Sequence, residues 1–216
     1  MNGRMKTAVI SGGAGGLGRA LATLLQDRGW LTILIDREIG NLPSTASQWP
    51  VACDLTDANA RRTAFAKILR SHPKIDLVVY NAGITQIGAF ETSDEISHRK
   101  VFEINYFAAV EMTRAFLKAV RAARGTHLAI SSVAGFSPLY HRTSYAGSKH
   151  ALEGFFKSLR SEEAEFGVST LIAAPSFVAT NIGNEQRQAD GIARPGSAGD
   201  GIDYMTPDDA AAVILK

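Results

Sequence analysis

The sequence predicts an α/β fold: a doubly wound parallel sheet with helices on both faces. Three observations carry the prediction. Short apolar runs alternate with longer segments of helical period along most of the chain, as in sheets built by crossover connections. The first run passes through a glycine-rich turn straight into a helix. Distinctive residues follow the ends of successive runs, among them Asp36, Asp54, Asn81, Ser132 and Pro175, and in such sheets ligands bind outside the carboxyl ends of the strands.

Thr7–Ile10 reads as a strand buried on both faces. The loop Ser11-Gly12-Gly13-Ala14-Gly15-Gly16-Leu17-Gly18 follows, and a helix runs on from Arg19 to close near Gly29. This order aims a helix N-terminus at a phosphate. Glycines let the backbone turn tightly and approach a pyrophosphate closely. The second strand, Leu31–Ile35, ends in Asp36, roughly 20 residues past the loop, where a carboxylate accepts hydrogen bonds from an adenosine ribose. A flexible turn and a strand-end cap would explain these residues singly; together they favour nucleotide binding.

Asn41–Pro50 is loop-like, and Val51–Cys53 is a short third strand ending at Asp54. Cys53 reads as a small buried hydrophobe, lacking the flanking positive charge of a reactive thiol. Thr56 or Asp57 caps a helix running to about Arg70. Ile75–Tyr80 is a fourth strand, with Asn81-Ala82-Gly83 at its end. Thr92-Ser93-Asp94-Glu95 fits a capping box with Glu95 at the third helical position. The helix continues to about Arg124, where Gly125 stops it. Asn105 lies inside it, an unfavourable place for asparagine.

Leu128–Ser132 is a fifth strand ending in hydroxyls. A loop with Gly135 and Pro138 leads into a helix extending to about Phe166 and ended by Gly167. Ser169–Ala174 is a sixth strand, stopped by Pro175. Residues Asn184–Gly201 have weak periodicity and read equally as a lid or as disorder. Thr206 caps a last helix with Pro207 at its first position.

One domain spanning 1–216 fits this length and the absence of a composition shift. The net charge of +2, with acids and bases interspersed, supports neither a nucleic-acid nor a membrane-surface partner. A single cysteine excludes an internal disulfide framework and fits a reducing compartment. No apolar run reaches transmembrane length, and the short basic start has no signal-peptide pattern, so a cytoplasmic location is expected. The five histidines lack metal-ligand spacing. His141 sits on the loop before Tyr145, where it reads as a solvated loop residue or a substrate contact.

Tyr145 and Lys149 stand four residues apart, one turn along a helix, so both point to one face. An ammonium beside a phenol stabilises the phenolate and lowers the tyrosine pKa, and such a phenol can exchange a proton with an alcohol or ketone. The bland reading is a half-buried tyrosine beside a solvated lysine, and the spacing alone does not decide between them.

The chain resembles the short-chain dehydrogenase/reductase family over almost its whole length. Ser11-Gly12-x-x-x-Gly16-x-Gly18 is similar to that family's cofactor loop, with Ser for the usual Thr. Asn81-Ala82-Gly83 is similar to its Asn-Ala-Gly motif, with Tyr80 where another Asn often stands. Asn105, Ser132, Tyr145 and Lys149 resemble its catalytic tetrad in order and spacing. Ser132 is chosen over Ser131 because it lies 13 residues before Tyr145, the usual interval. Pro175 to Thr180 resembles the Pro-Gly motif, with Ser176 replacing the glycine, a change expected to shift the backbone beside the nicotinamide.

The resemblance implies a Rossmann-like fold and hydride transfer between a nicotinamide cofactor and a secondary alcohol or ketone. Tyr145 would be the general acid/base. Lys149 would lower its pKa and hold the nicotinamide ribose, and Ser132 would bind the substrate oxygen. Asn105 would bend its helix and hold a water linking Lys149 to solvent. Cofactor contacts would come from Ser11, Gly12, Gly16, Leu17, Gly18, Asp36, Arg37, Asp54, Leu55, Asn81, Ala82, Gly83, Pro175, Val178 and Thr180, with Tyr145 and Lys149. Asp36 favours NAD over NADP by repelling a 2′-phosphate; Arg37 pulls the other way. Relatives commonly form homodimers or homotetramers. The family usually continues into a seventh strand and a tail, so a truncated chain and a six-stranded sheet with an open edge are both expectations. A nucleotide-binding sensor on the same fold is the rival function, and it would have no need of Tyr145 and Lys149.

Overall fold

The computed structural model describes residues 4–180 and 204–216. Six parallel strands form one sheet: β1 (Thr7–Ser11), β2 (Leu31–Asp36), β3 (Gln48–Ala52), β4 (Leu77–Tyr80), β5 (Thr126–Ile130) and β6 (Ser169–Ala173). Their order is β3-β2-β1-β4-β5-β6. The chain winds outward from β1 to β3, then returns to place β4 on the other side of β1. The order therefore reverses between β1 and β4, and the loops leaving these strands part to open a crevice.

Both faces of the sheet are covered over β1, β2, β4 and β5, which is why these strands read as nearly continuous apolar runs. Val9, Ile33, Ile35 and Val78 face one layer, packed with Phe65, Met112, Phe116 and Phe156. Those residues come from helices α2 (Ala58–Ser71), α4 (Ala108–Ala123) and α5 (Thr143–Glu163). Ala8, Ile10, Leu34, Leu77 and Val79 face the other layer, with Leu21, Leu25, Ala210 and Ala211. Helices α1 (Gly16–Asp27) and α6 (Pro207–Ile214) supply that side. Among the described residues, no helix is long and apolar enough to cross a membrane.

Several boundaries depart from the sequence reading. β3 begins at Gln48 instead of Val51 and carries Pro50 inside it, in register with Leu34. The strand is at the sheet edge, where a missing N–H can face outward. The helix α3 (Glu95–Phe102) is capped by Asp94, whose carboxylate accepts from Ser97 N at 2.6 Å. Thr92 instead ends a 3-10 turn, so Glu95 is the first helical residue, not the third. Between α3 and α4 lies a π turn, Glu103–Phe107. α4 ends with Arg124 in the left-handed region at φ 49°. Gly125 does not supply that conformation. It is needed for close approach, because a Cβ there would stand 2.7 Å from the Ile75 and Asp76 carbonyl oxygens. β5 ends at Ile130, leaving Ser131 and Ser132 in the following loop. The segment 184–201 lies outside the described residues.

Candidate active site

The crevice between the loops of β1 and β4 extends to the N-terminal part of α5. Its walls include Gly12, Gly16, Leu17, Asp36, Arg37, Asp54 and Leu55 on one side of the sheet's midline. Asn81, Ala82, Gly83, Ser132, Tyr145, Lys149, Pro175, Val178 and Thr180 line it too. Of the residues singled out from the sequence, Ser11, Gly18 and Asn105 stand behind the wall and hold it in shape.

Ser11 Oγ accepts from the Asn81 and Ala82 backbone N–H groups at 3.0 and 3.1 Å. Asn81 Nδ2 returns the link, donating to the Ser11 and Gly12 carbonyls at 3.1 Å each. The two loops at the strand-order reversal are thereby fastened to each other. Gly12 takes φ +64°, and a Cβ on Gly18 would collide with its carbonyl oxygen. These two glycines are required by geometry.

Helices α2, α3 and α6 each have a side-chain cap, from Asp57, Asp94 and Thr206. α1 has none: Gly15 stands at its N-cap, and its first turn holds no acidic residue. Its first N–H groups lack an intrahelical partner, and Gly16 and Leu17 in its first turn line the crevice. An anion is the natural partner for such an end. Asp36 lies beyond it, one carboxylate oxygen accepting from Ala14 N at 3.0 Å and the other from Glu38 N at 3.4 Å. Arg37 pairs with Glu38 at 3.4 Å. Asp54 accepts from Thr56 N and Oγ1 at 2.8 and 2.7 Å, and these bonds hold its carboxyl below the usual range.

The opposite end of the crevice is built by β5 and α5. Tyr145 is 7% exposed. Burial raises its phenol above the ordinary value, while a hydrogen bond with Ser132 and the charge of Arg142 pull it back down. Ser132 Oγ also accepts from Ala134 N at 3.2 Å, capping the 3-10 turn Val133–Gly135. The neighbouring Ser131 Oγ donates to Glu153 at 2.8 Å. Of the two serines, Ser132 is the one that meets the phenol.

Lys149 is 4% exposed. Its Nζ donates to the Ile130 carbonyl at 2.8 Å and lies 5.8 Å from the centre of the Tyr145 ring. Burial pushes the ammonium down to about 8. Asn105 is 1% exposed and sits in the π turn. Its Oδ1 accepts from Ile84 N at 2.8 Å, and its Nδ2 donates to Ile84 O and Ser148 Oγ at 3.0 Å each. The widened turn explains an asparagine in mid-helix: the amide bridges the β4 loop to α5. A Cβ on Gly83 would meet Asn105 Oδ1 at 3.3 Å and Lys149 Nζ at 3.8 Å.

Residues 6–191 match the short chain dehydrogenase family. The chain belongs to that family. A dehydrogenase/reductase SDR family member 7B from Rattus norvegicus is 33% identical over 87% of this chain. A dehydrogenase/reductase SDR family protein 7-like from Dictyostelium discoideum is 30% identical over 86% of it. This chain spans 62 and 63% of the lengths of those two relatives. A solved short-chain dehydrogenase from Streptomyces avermitilis superposes with a TM-score of 0.84 at 28% identity, covering 100% of this chain and 84% of its own. An alcohol dehydrogenase from Thermococcus sibiricus, complexed with 5-hydroxy-NADP, gives 0.85 at 23% identity, covering 98% of this chain and 90% of its own. The short-chain dehydrogenase family is an oxidoreductase family, and this chain is one of its members.

As a short-chain dehydrogenase the chain has local features of its own. Tyr80 is buried and its hydroxyl lies 2.7 Å from His127 Nδ1, so it serves the core instead of the crevice. Ser176 lines the crevice with no positive φ among the described residues from 175 to 180. The segment after β6 is held by a bridge between Val178 and Met205. That bridge brings Thr180 and Pro207 next to Gly16. Cys53 also lines the crevice as a buried thiol, pushed up to about 11 mainly by burial.

Two residues beside the site escaped the sequence reading. Arg142 is 6% exposed, bonds to Thr85 Oγ1 at 3.3 Å and lies 5.9 Å from the Tyr145 ring centre. Glu153 is buried one turn beyond Lys149. Helical spacing was the available signal for both: Arg142 is three residues before Tyr145, and Glu153 four after Lys149.

Proposed function

We propose that the chain is an NAD(H)-dependent oxidoreductase acting on a secondary alcohol or ketone, with Tyr145 as general acid/base. One observation carries the reading. Ser132, Tyr145 and Lys149 share a single crevice with the uncapped N-terminus of α1.

The residues present suit a dinucleotide. The first N–H groups of α1 can receive a pyrophosphate, and Gly12, Gly15 and Gly16 keep side chains out of its way. Asp36 and Asp54 stand where ribose and adenine would lie, and Lys149 can donate to the nicotinamide ribose. A bound nicotinamide supplies or accepts the hydride. Ser132 Oγ positions the substrate oxygen and donates to charge developing on it. Tyr145 gives that oxygen a proton during reduction and takes it back during oxidation. Ser132 and Arg142 ease the formation of the phenolate, opposing the burial that resists it.

The preference for NAD(H) rests on Asp36. A carboxylate fixed by Ala14 N at the ribose position repels a 2′-phosphate. Structural neighbours carry both cofactors: a 3-ketoacyl-(acyl-carrier-protein) reductase from Brucella melitensis was solved with NADH, the Thermococcus enzyme with 5-hydroxy-NADP. The deciding experiment is turnover on an alcohol and carbonyl panel, with NAD(H) and NADP(H) in parallel. Tyr145→Phe is expected to lose at least about a hundredfold in kcat while still binding cofactor. Cofactor binding by the wild type without turnover on the panel would instead indicate a sensor.

A further inference from the structure

Two α5 side chains, one turn apart, grip consecutive residues at the end of β5. Lys149 Nζ donates to the Ile130 carbonyl at 2.8 Å. Glu153 Oε1 accepts from Ser131 Oγ at 2.8 Å. Ser132 is the next residue along the chain. Glu153 is 5% exposed and is held in turn by Lys157, whose Nζ donates to Oε2 at 2.7 Å. Burial pushes its carboxyl up, but the bonds from Lys157 and Ser131 outweigh this and keep it below its ordinary value. It is therefore a buried carboxylate with a fixed orientation.

The loop carrying Ser132 is folded against that carboxylate. A Cβ on Gly135 would collide with Glu153 Oε1 and would stand 2.5 Å from Ser131 Oγ. Gly135 closes the 3-10 turn that Ser132 itself caps. Glu153 thus touches the loop on both sides of Ser132, through the Ser131 hydroxyl before it and the Gly135 backbone after it.

We propose that Glu153 is a positioning residue: acting through Ser131 and Gly135, it sets the place of Ser132 Oγ relative to the Tyr145 hydroxyl. The inference rests on the roles given to Ser132 and Tyr145 above. Oxyanion donors act only when aimed at the reacting oxygen, and displacement by about 1 Å can cost about a hundredfold. Lys157 is 59% exposed, so solvent takes over its charge when the carboxylate is removed.

The test compares Glu153→Ala, Glu153→Gln and Ser131→Ala with the wild type in three measurements. The first is kcat and KM. The second is the nicotinamide cofactor dissociation constant. The third is the Tyr145 titration in cofactor-free protein, read as tyrosinate absorbance against Tyr145→Phe. Lys149, Arg142 and Ser132 are the groups that face that phenol, and all three are retained in each variant.

Glu153→Ala and Ser131→Ala are expected to lower kcat about tenfold or more. They should leave the cofactor dissociation constant within about twofold and move the Tyr145 midpoint upward as its Ser132 partner is lost. Glu153→Gln keeps an acceptor for Ser131 and is expected to restore most of kcat. An unmoved Tyr145 midpoint in Glu153→Ala overturns the proposal. So does cofactor affinity falling in step with kcat, which indicates general disruption. Absence of Tyr145-dependent turnover in the wild type overturns the oxidoreductase reading; the Tyr145 midpoint then still reports whether Glu153 places Ser132.

Discussion

Lys149 binds the backbone beside Tyr145: its Nζ lies 2.8 Å from the Ile130 carbonyl oxygen and 5.8 Å from the tyrosine ring centre. The lysine is gripped by the backbone, and its charge is costly where it stands. Its pKa falls from an ordinary 10.5 to about 8 through burial alone. The folded state therefore gives up this proton more readily than the unfolded state. Burying the ammonium opposes folding below about pH 8, and that penalty fades as pH rises through 8 toward 10.5. Lys149→Met is expected to be more stable than the wild type at pH 7, by about 1–3 kcal/mol, while losing turnover. Denaturant unfolding at several pH values checks this; the stability difference should shrink as pH rises across that window.

Asp36 holds Ala14 N and lines the crevice. Asp36→Asn keeps an acceptor for Ala14 but removes the charge. The ratio of kcat/KM for NAD(H) over NADP(H) is expected to fall about tenfold, equivalent to about 1.4 kcal/mol. Parallel kinetics with the two cofactors measure it, and an unchanged ratio would place the discrimination elsewhere.

His127 is fully buried, with Nδ1 2.7 Å from the Tyr80 hydroxyl and Nε2 without a hydrogen-bond partner among the described residues. Burial lowers its pKa from 6.5 to about 4. The unfolded chain takes up this proton before the folded one does. Stability from this group is complete above pH 6.5 and declines as pH falls toward 4. The slope is about 1.4 kcal/mol per pH unit. Replacing His127 with Asn should flatten that part of the stability profile, as measured by thermal or denaturant unfolding across the window.

Arg124 occupies a left-handed conformation at the end of α4, and the glycine is one residue further on. Arg124→Gly is expected to stabilise by about 0.5–1 kcal/mol, because a Cβ is unfavourable at that φ. Gly125→Ala is expected to destabilise by more than 1 kcal/mol, roughly the cost of forcing apart a packed backbone contact. Melting temperatures of the two variants test both signs together.

This last pair shows where sequence reading loses its grip. A glycine after a helix suggests a left-handed cap, but nothing local reveals that Gly125 must pass against Ile75 and Asp76. The strands were legible because burial on both faces leaves an unbroken apolar run. Pro50 concealed the start of β3, since a proline is tolerated there only through the strand's place at the edge. Asp94 displaced Thr92 as a cap because the preceding residues had already closed a 3-10 turn. The crevice residues were legible through motif order. The direction in which Lys149 points, and the buried grip of Glu153, depend on distances between elements that spacing along the chain does not contain.

The π turn at Glu103–Phe107 has a consequence for how the helix reads along the chain. A π turn holds one residue more than the α-helical turn it replaces. Val101, Ala108, Met112 and Phe116 are nonetheless buried at intervals of seven, four and four residues, the spacing of an unbroken α-helix, so the apolar period passes through the wider turn without marking it. The residue that marks it is Asn105, whose amide grasps Ile84 from within that turn.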